Sequence, residues 1–493
     1  MQRLPKLLAL PFFALSLLSA GIQAGPLQEF AGSWEGEFTT PFDPKPLKLR
    51  FGIEEAPDGT WRGGFEGDLL GTGLLRGERV EDGLRVECNL GGAPTSLVLR
   101  GGSEGTLRGT LMYSGLPIMV TYSRTAEGWA DDLQFEVELP AERPTTVFLD
   151  GLPEHLLPQI ESRVRGSLDS GNIVGLAMAV VIDGELADSR AWGWADVAQA
   201  KPVGETTLFR WGSISKPVTA VAAGKLALAG DLDLDLDVRK YVPEYPEKKH
   251  TVTTRLLLGH LGGLAHYGHF PPVVRVDYGV PFPFRDAVRA IDMFREAPLI
   301  NEPGSSYSYS THGYALAGAV LDRVDERMTY LDQVRLLVSE PLAMGSFAPD
   351  DPSAPDAART TGYRLTQDGR VFDAGDSNVA WKLAGGGFQS TVADLARFGA
   401  GMCDDYFVDE ELRELLWTRQ TTNAGQRTGY GLGFNISSRD GILLVSHGGA
   451  QRRTRTFLLV APDAQIAVAI MCNTEGSNLA GIGQAVMRLL IKG

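Results

Sequence analysis

At 493 residues the chain is too long for one ordinary domain, so two or three domains are expected. Its formal net charge of −15 disfavours binding to nucleic acid or to an anionic membrane surface. Its three cysteines lie far apart, with neither the even number of a disulfide framework nor the spacing of a metal site, and small buried residues are the simpler interpretation.

The first 24 residues predict a signal peptide. Two positive residues, Arg3 and Lys6, precede an apolar run at 7–18, and small residues follow up to Ala24. This order is typical of a secretory signal that is cleaved after Ala24, and the apolar run is too short to span a bilayer. The mature protein is therefore expected in a bacterial periplasm or outside the cell, without an integral membrane segment.

Residues 25–140 are predicted to form a small β-barrel-like domain. The segment 47–53 alternates apolar and other residues with the period of a strand, and turn signals recur at intervals typical of an antiparallel barrel or sandwich. Trp34 and Trp61 provide bulk for its core, and no titratable residues cluster there. Such a barrel is able to hold an apolar ligand, but a packing or docking module is the simpler interpretation.

A linker is predicted at 141–150, and a second domain at 151–493. Two strands flank a hairpin turn at Asp183-Gly184, the middle of the domain is helical, and its end returns to strands before a closing helix. This order predicts one sheet with strands from both ends of the domain and a helical insertion. The predicted helices lie at 157–168, 218–230, 316–324, 392–400 and 482–491, and the late strands at 443–445, 456–460 and 466–471.

The most informative motif is Ser213-x-x-Lys216. A serine hydroxyl becomes a good nucleophile when a neighbouring group takes its proton, and a lysine is such a group. Pro217 fits only in the first turn of the following helix, so Ser213 is expected at or just before the helix start. Residues three apart share one helix face, so the Lys216 amine is expected to reach the Ser213 oxygen. The helix N-terminus favours an alkoxide and a neutral lysine.

Two further segments carry suitable chemistry. Tyr309 lies in a polar loop before a helix, where a tyrosine with a pKa lowered by nearby ammonium groups acts as a base or proton shuttle; a half-buried aromatic without that role is the alternative. The segment 446–450 begins a strand pattern, and its two glycines allow a substrate to lie along the strand edge. The Ala450 N–H is then expected to face the substrate carbonyl oxygen.

Together these motifs resemble those of the serine β-lactamase and penicillin-binding superfamily. The set is Ser213-x-x-Lys216, Tyr309-Ser310-Thr311 and His447-Gly448-Gly449, with further matches at 256–264, 384–396 and 430–434. The part of the chain from about residue 150 looks like the class C-type branch of esterases, D-amino-acid peptidases and β-lactamases. The resemblance implies an α/β (α+β) fold of the β-lactamase/transpeptidase type, in which an antiparallel sheet is flanked by helices and joined to a helical subdomain.

The resemblance also implies a role for each matching position. Ser213 is expected to attack an acyl carbonyl, with Lys216 and Tyr309 sharing the proton transfers, and which of the two is the base stays open. The backbone N–H groups of Ser213 and Ala450 are expected to form the oxyanion hole. Thr311, His447, Gly448 and Gly449 are the positions expected to bind substrate.

Two of these positions depart from the family pattern. Thr311 replaces the usual asparagine, and a hydroxyl reaches less far than an amide. His447 replaces a lysine, so binding of a substrate carboxylate is expected to be weaker or pH-dependent. Both changes favour esters or peptides over β-lactams. Arg453, expected on the same strand, is able to bind a carboxylate as a further substrate-binding residue, and ion pairing with the acidic surface is the alternative.

No metal or other cofactor is expected. His260, His266 and His269 have no aspartate or glutamate among them, and the resemblance places His260 in a structural turn. The acidic run 231–237 lacks the glycine and the terminal glutamate of a calcium loop, so a solvated loop is expected.

The function expected from the sequence is that of a secreted serine hydrolase that forms an acyl-enzyme on Ser213. Its substrates are expected to be small-molecule or peptide esters and amides. A true class C-type β-lactamase or a D-Ala-D-Ala carboxypeptidase is the first alternative. A catalytically silent binding or scaffold protein with the same fold is an alternative of another class. The sequence leaves the physiological substrate and the oligomeric state open.

Overall fold

The computed structural model describes residue 30, eight strands between residues 32 and 124, and a larger domain that follows them. In that domain the described residues are 137, 139–170, 173–266, 286–350, 358–365, 370–374 and 379–492. The predicted signal peptide and His269 lie outside the described residues. Within the described ranges, no helix is both long enough and apolar enough to cross a membrane.

The eight N-terminal strands form a closed antiparallel barrel. Each strand pairs with the next, and the first pairs with the eighth. Alternate residues of the predicted strand at 47–53 (Leu49, Phe51 and Ile53) are buried in its core, and the prediction of a small β-barrel is confirmed. The strands are β1 (Gly32–Thr40), β2 (Asp43–Glu55), β3 (Trp61–Gly67), β4 (Gly71–Val80), β5 (Gly83–Leu90), β6 (Ala93–Gly101), β7 (Thr106–Tyr113) and β8 (Leu116–Arg124).

The larger domain contains further sheets and a set of helices. Its strands are β9 (Thr145–Leu149), β10 (Gly175–Ile182), β11 (Glu185–Asp196), β12 (Lys201–Pro202), β13 (Phe209–Arg210), β14 (Ala348–Pro349), β15 (Tyr363–Leu365), β16 (Val371–Asp373), β17 (Phe388–Ser390), β18 (Asn435–Arg439), β19 (Ile442–Gln451), β20 (Thr454–Ala461) and β21 (Ile466–Cys472). Its helices are α1 (Leu157–Ser170), α2 (Ser215–Leu228), α3 (Thr254–Leu258), α4 (Ala287–Ala290), α5 (Thr311–Val324), α6 (Tyr330–Val334), α7 (Leu383–Gly386), α8 (Val392–Gly401), α9 (Glu410–Trp417) and α10 (Leu479–Lys492).

The main sheet joins strands from the two ends of this domain. Its strand order is β12-β11-β10-β21-β20-β19-β18, with β9 paired to β11, and the pairings are antiparallel. The central β10–β21 pair places Leu176 opposite Cys472, almost 300 residues apart in the chain. The predicted sheet with strands from both ends is therefore confirmed. Strand β9 lies within the segment predicted as a linker, where it forms an edge strand of this sheet.

Both faces of the sheet are covered, which explains why β10 is apolar along its whole length. Met178 and Val180 belong to the core beneath α1 and α10, whereas Ala177 and Ala179 belong to the core that contains α2, α5 and α8. Consecutive side chains of a strand point to opposite faces, so both faces of β10 require apolar residues. The helical subdomain therefore packs against the second face only, and the catalytic motif lies on that side.

Helix α2 lies inside the domain rather than on its surface. Its first ten residues, Ser215–Gly224, are all buried. Small alanine and valine side chains on every face of this segment allow close packing against neighbouring elements on all sides. The helix begins three residues earlier than predicted, at Ser215, with Pro217 in its first turn. This burial removes the start of α2, and the lysine it carries, from water.

Candidate active site

Ser213 lies in a short 3₁₀ turn, Gly212–Ile214, directly before α2. The backbone of Gly212 has a φ of 53°, a conformation that glycine adopts without steric cost. The preceding residue anchors this turn to the main sheet, because the Trp211 carbonyl accepts a hydrogen bond of 2.7 Å from Thr456 Oγ1 on β20. The nucleophile is thus positioned by the sheet as well as by its own helix.

Lys216 is fully buried and has three hydrogen-bond partners from separate segments. Its Nζ lies 3.2 Å from Ser213 Oγ, 3.1 Å from Thr311 Oγ1 and 2.6 Å from the Gly385 carbonyl. Burial lowers the pKa of Lys216 well below its ordinary value, and the nearby charge of Lys382 lowers it further. The lowered pKa favours the uncharged amine, which is the form that is able to accept a proton.

When it is uncharged, the Lys216 amine is placed to accept a proton from Ser213. It carries two N–H groups and one lone pair, and the Gly385 carbonyl, which only accepts hydrogen bonds, takes one of the N–H groups. The lone pair is then available for the proton of Ser213 at 3.2 Å. Burial lowers the pKa of Lys216, and the carbonyl partner leaves its third position directed at the serine.

Tyr309 lies beside this pair with its ring packed closely against other groups. The Lys216 Nζ is 4.8 Å from the centre of the Tyr309 ring, and the His260 ring centre is 4.2 Å away. Burial raises the pKa of Tyr309, and a hydrogen bond with Ser213 opposes that rise without cancelling it. The expectation of a lowered pKa was wrong, because burial has removed water from the ring. Tyr309 is therefore a protonated phenol, the form that is able to donate a proton.

The strand edge of β19 packs directly against the turn that holds Ser213. A Cβ atom added to Gly449 would lie 2.0 Å from Thr456 Oγ1 and 2.2 Å from the Trp211 carbonyl, so only glycine fits there. A Cβ atom added to Gly212 would lie 3.2 Å from the Ala450 nitrogen. Gly212, which directly precedes Ser213, therefore packs against the backbone of Gly449 and Ala450, and the oxyanion hole expected from Ser213 and Ala450 stays a prediction.

These groups border one open cavity of about 410 Å³. It brings together the predicted residues Ser213, Tyr309, Thr311, His447, Gly448 and Ala450. Its wall also contains His266, Lys382, Gly385, Gly386, Asn435 and Gln451. The three sequence motifs, separated by roughly a hundred residues or more, thus meet at one site, which is large enough for a small-molecule or peptide acyl group.

His447 lies in the cavity wall, but both of its ring nitrogens have partners within the protein. Its Nδ1 donates to the Gly448 carbonyl at 2.8 Å, so its Nε2 accepts from the Tyr430 hydroxyl at 2.9 Å. Burial, together with the charge of Lys216, lowers the pKa of His447 to about 3. The ring is therefore neutral at physiological pH, which agrees with weaker rather than pH-dependent carboxylate binding at this position.

His260 and His266 support the loop that carries Tyr309. The Nδ1 of His260 accepts the backbone N–H of Ser310 at 3.2 Å, and the Nδ1 of His266 accepts that of Thr311 at 3.2 Å. Within the described part of the chain, no group of three or more histidine, cysteine, aspartate or glutamate residues is arranged to hold a metal ion. The two histidines fix the backbone on which Tyr309 is mounted.

Arg453 is not brought to the cavity. It lies in the two-residue turn between β19 and β20 rather than on a strand, with a φ of 70°. Its guanidinium donates to the Thr360 carbonyl, and its backbone N–H donates to Glu475 Oε1 at 3.0 Å. The structure thus gives Arg453 partners in loops that hold this turn in place.

Sequence reasoning missed three polar residues in the cavity wall, Lys382, Asn435 and Gln451. Lys382 precedes the glycine run 385–387 and Gln451 follows the motif strand directly, so proximity to a recognised motif was the available signal. Tyr430, which holds His447, was quoted only as part of a secondary motif. A single sequence shows such residues as ordinary polar positions, because their contacts come from other segments.

Comparison with known proteins agrees with this geometry. The beta-lactamase family model matches residues 160–490. The chain is 30% identical over 305 residues to the serine beta-lactamase-like protein LACTB, mitochondrial, of Mus musculus, covering 48% of this chain and 55% of that protein. It is 31% identical over 214 residues to esterase EstB of Burkholderia gladioli, covering 41% and 53%. It is 28% identical over 306 residues to a D-aminopeptidase of Gluconobacter oxydans, covering 61% and 55%. The chain therefore spans about half the length of these curated relatives.

Solved structures share the fold of the larger domain. The octameric penicillin-binding protein homologue from Pyrococcus abyssi aligns with a TM-score of 0.60 at 25% identity, covering 68% of this chain and 77% of that chain. The D-amino acid amidase from Ochrobactrum anthropi aligns with a TM-score of 0.57 at 22% identity, covering 68% and 99%. Since the family model covers well over half of the sequence and the motif residues meet around Ser213, the chain belongs to the beta-lactamase family.

Proposed function

We propose that this protein hydrolyses esters and peptide-like amides through an acyl-enzyme formed on Ser213. The observation that carries the proposal is the contact of 3.2 Å between Ser213 Oγ and the buried amine of Lys216, whose pKa is lowered by burial. Ser213, Tyr309 and Ala450 border one cavity, and Lys216 lies directly behind Ser213.

In the proposed acylation step, Lys216 takes the proton of Ser213 as Oγ forms a bond to the substrate carbonyl carbon. The negative charge that develops on the carbonyl oxygen is stabilised by the N–H groups of Ser213 and Ala450, an effect worth about 3 kcal/mol for one donor. Tyr309 then gives its proton to the departing alkoxide or amine, and the bond between the carbonyl carbon and the leaving group breaks. The Lys216 ammonium returns a proton to the phenolate, which restores both groups.

In the proposed deacylation step, a water molecule takes the place of the leaving group. The Lys216–Tyr309 pair accepts the water proton as the hydroxide attacks the ester carbon. The tetrahedral intermediate uses the same two N–H groups, and Ser213 leaves as it regains a proton. The net reaction consumes one water and releases a carboxylic acid together with an alcohol or an amine.

Two features favour esters and peptides over β-lactams as substrates. The Thr311 hydroxyl is already engaged by Lys216 at 3.1 Å, so it is not directed at a substrate amide. His447 is neutral and held by Tyr430, so it supplies no permanent cation for the carboxylate of a β-lactam. The esterase and D-aminopeptidase relatives are named for reactions of the kind proposed here.

Labelling with a fluorophosphonate tests the proposal. The folded protein is expected to take one label, and mass spectrometry of its peptides should place that label on Ser213. The Ser213→Ala variant gives the background. Ser215, whose hydroxyl is buried and donates to the Gly212 carbonyl at 2.9 Å, provides the control variant Ser215→Ala, which should still be labelled. A folded protein that takes no label at Ser213 would favour the silent scaffold.

The substrate preference needs a separate measurement. Turnover of p-nitrophenyl acetate is expected to exceed turnover of nitrocefin at equal concentrations, because the site lacks a free amide at Thr311 and a cation at His447. A higher kcat/KM for nitrocefin would reverse this preference and identify a β-lactamase instead.

We also propose that the protein is exported and loses residues 1–24. The order of charged, apolar and small residues in this segment supports the proposal. Expression of the full chain in a bacterial host is expected to give a periplasmic or secreted product whose first residue is Gly25. N-terminal sequencing checks this result, and an intracellular product that keeps Met1 or begins elsewhere would contradict it.

A further inference from the structure

A second open cavity lies next to the catalytic one. Its volume is about 520 Å³, and Asn435 borders both cavities. One of its walls is the loop that leads to Tyr309, and this wall includes Tyr307. The other wall is formed by residues 422 and 426–430. The two cavities are therefore neighbours that one extended substrate is able to occupy together.

The two walls of the second cavity are tied to each other. The backbone N–H of Asn423 donates to the Gly304 carbonyl at 2.8 Å, and its side-chain Nδ2 donates to the Pro303 carbonyl at 3.2 Å. Within the second wall, the Thr422 N–H donates to the Gln426 carbonyl at 2.9 Å. A ligand therefore finds walls that are already held in place, and less of its binding free energy is lost in ordering them.

Four polar side chains of this cavity are available to a ligand. They belong to Ser306, Tyr307, Gln426 and Arg427. None of the four makes a side-chain hydrogen bond or an ion pair with another described residue. By contrast, the Thr428 hydroxyl in the same wall donates to the Tyr430 carbonyl at 2.9 Å. The ring of Tyr307 is also accessible, since this residue is 42% exposed. Polar groups that converge on a cavity in this way give a ligand its orientation.

The position of Tyr309 identifies the part of the substrate that reaches this cavity. In the acylation step proposed above, Tyr309 gives its proton to the leaving group, so the leaving group lies on the side of its hydroxyl. Tyr307 precedes Tyr309 by two residues, and the ring centres of both lie close to that of His260, at 5.7 Å and 4.2 Å. The second cavity therefore adjoins the catalytic one on the side of the leaving group.

The lining of the second cavity favours a peptide. The guanidinium of Arg427 has only donors, and the carboxamide of Gln426 has both donors and an acceptor, which suits the carbonyl oxygens and N–H groups of a peptide backbone. The described lining residues include no aspartate or glutamate, the acceptor-only groups that take hydrogen bonds from sugar hydroxyls. A volume of 520 Å³ is that of a complete small-ligand site, so it has room for more than one terminal residue.

We propose that the second cavity binds a peptide leaving group of two or more residues, so that the protein cleaves within a chain rather than removing a single terminal residue. This proposal rests on the hydrolase function proposed above. Tyr307, Gln426 and Arg427 are specificity-determining residues that contact the leaving group. Bond cleavage still proceeds at Ser213: its Oγ bonds to the carbonyl carbon, the bond from that carbon to the leaving nitrogen or oxygen breaks, and the leaving group takes the proton of Tyr309.

A series of uncharged esters with one acyl group tests the length requirement. The substrates are O-acetyl-lactamide, O-acetyl-lactoyl-glycinamide and O-acetyl-lactoyl-glycyl-glycinamide, each in both lactate configurations. All of them transfer the same acetyl group from a lactate oxygen, and their rates of hydroxide-catalysed hydrolysis correct for differences in reactivity. In at least one configuration kcat/KM is expected to rise about tenfold or more from the first ester to the third, the factor for one or two net hydrogen bonds.

Variants then connect the length preference to the second cavity. Arg427→Met and Gln426→Met should each lower the ratio of kcat/KM values for the third and first esters. Gly429→Phe should bring it close to one, because Gly429 lines the cavity and a Cβ atom added there meets nothing within 4 Å. The controls are Arg439→Met, at the far end of β18, and Gly166→Phe, on the exposed face of α1, and both should keep the ratio. The ratio is independent of the amount of active protein, so partial misfolding does not disturb it.

Two results would overturn the proposal: a kcat/KM that does not rise with length in either configuration, or a rise that persists in both Gly429→Phe and Arg427→Met. The ester 6-O-acetylglucose carries a sugar as its leaving group and is expected to react no better than O-acetyl-lactamide. A preference for this sugar ester over the longest peptide ester would assign the cavity to a glycan and also contradict the proposal. Failure of the hydrolase function looks different, because then none of the esters, including p-nitrophenyl acetate, is turned over.

Discussion

Replacing Lys216 with methionine is expected to lower the rate of Ser213 acylation by about 10³-fold, since the substitution removes the proton acceptor and keeps the volume of the side chain. The amine at 3.2 Å is the described group best placed to take the serine proton. Labelling kinetics with a fluorophosphonate and turnover of p-nitrophenyl acetate measure the loss. Acylation of Lys216→Met within tenfold of the wild-type rate would show that another group is the base.

Lys225→Met is the matched control for this variant. It makes the same substitution on the same helix, at a half-buried lysine whose Nζ lies 3.5 Å from the centre of the Phe407 ring. Lys225 has no contact with Ser213 among its described interactions. Its substitution is therefore expected to leave acylation unchanged, which separates the loss of a base from the general effect of a lysine-to-methionine change in α2.

The pH dependence of stability provides an independent measure of the same lysine. Burial lowers the pKa of Lys216 in the folded protein below its ordinary value of 10.5, so between these two pKa values the unfolded chain binds more protons than the folded one. The free energy of unfolding of the wild type therefore rises with pH in this window, and Lys216→Met lacks this contribution. We expect any stability advantage of the variant to be largest below the lowered pKa and to shrink towards pH 10.

Activity should follow the same titration. Acylation by the wild type is expected to fall at low pH, when Lys216 takes up a proton and can no longer accept the one from Ser213. Nearby charges shift the pH at which the acylation rate falls. Lys382 lowers the pKa of Lys216, whereas His447 and Tyr309 are neutral and have little effect. Denaturant titrations and rate measurements across pH 5–9 check both curves.

The Gly449→Ala variant is expected to lose about 100-fold in acylation rate and about 1–3 kcal/mol of stability. The added methyl group would lie 2.0 Å from Thr456 Oγ1 and 2.2 Å from the Trp211 carbonyl, so β19 and the turn of Ser213 must separate. That movement displaces the Ala450 N–H from the oxyanion hole. Rates and unfolding midpoints of the variant measure the two effects.

The neighbouring glycine provides the control for steric contact. A Cβ atom at Gly448 meets nothing nearer than 3.9 Å, so Gly448→Ala is expected to keep the stability of the wild type and a nearly normal acylation rate. The two substitutions add the same methyl group to adjacent residues of one strand. Equal effects of the two would contradict a specific requirement for close packing at Gly449.

Several features followed directly from local patterns in the sequence. The spacing of Ser213 and Lys216 on one helical turn placed the amine near the hydroxyl, because helix geometry fixes the distance between residues three apart. Alternation at 47–53 predicted a strand with one buried face, and the β-barrel was confirmed. The motif resemblance predicted that distant segments meet at one cavity, as the structure shows.

The protonation states in the site could not be predicted from the sequence. Tyr309 was expected to have a lowered pKa, and this expectation was wrong because burial is the largest effect on it. For His447 the sequence left weaker and pH-dependent carboxylate binding open, and burial, which keeps the ring neutral, decides for the weaker binding. Burial depends on how many separate segments exclude water from a side chain, and no short stretch of sequence contains that information. The sequence also predicted Arg453 on a strand, whereas it lies in the turn between β19 and β20, where its contacts come from other segments.

The sequence by itself determined which reactive groups this protein has and which of them are close neighbours along a helix or strand. Only the tertiary structure decided what those groups do. The Lys216 amine contacts a hydroxyl 95 residues away and a carbonyl 169 residues away in the chain. The proposed oxyanion hole depends on strand β19, which packs against the turn of Ser213. Distances within one helical turn are set by local bonds, whereas desolvation and close packing are set by contacts between segments that only folding brings together.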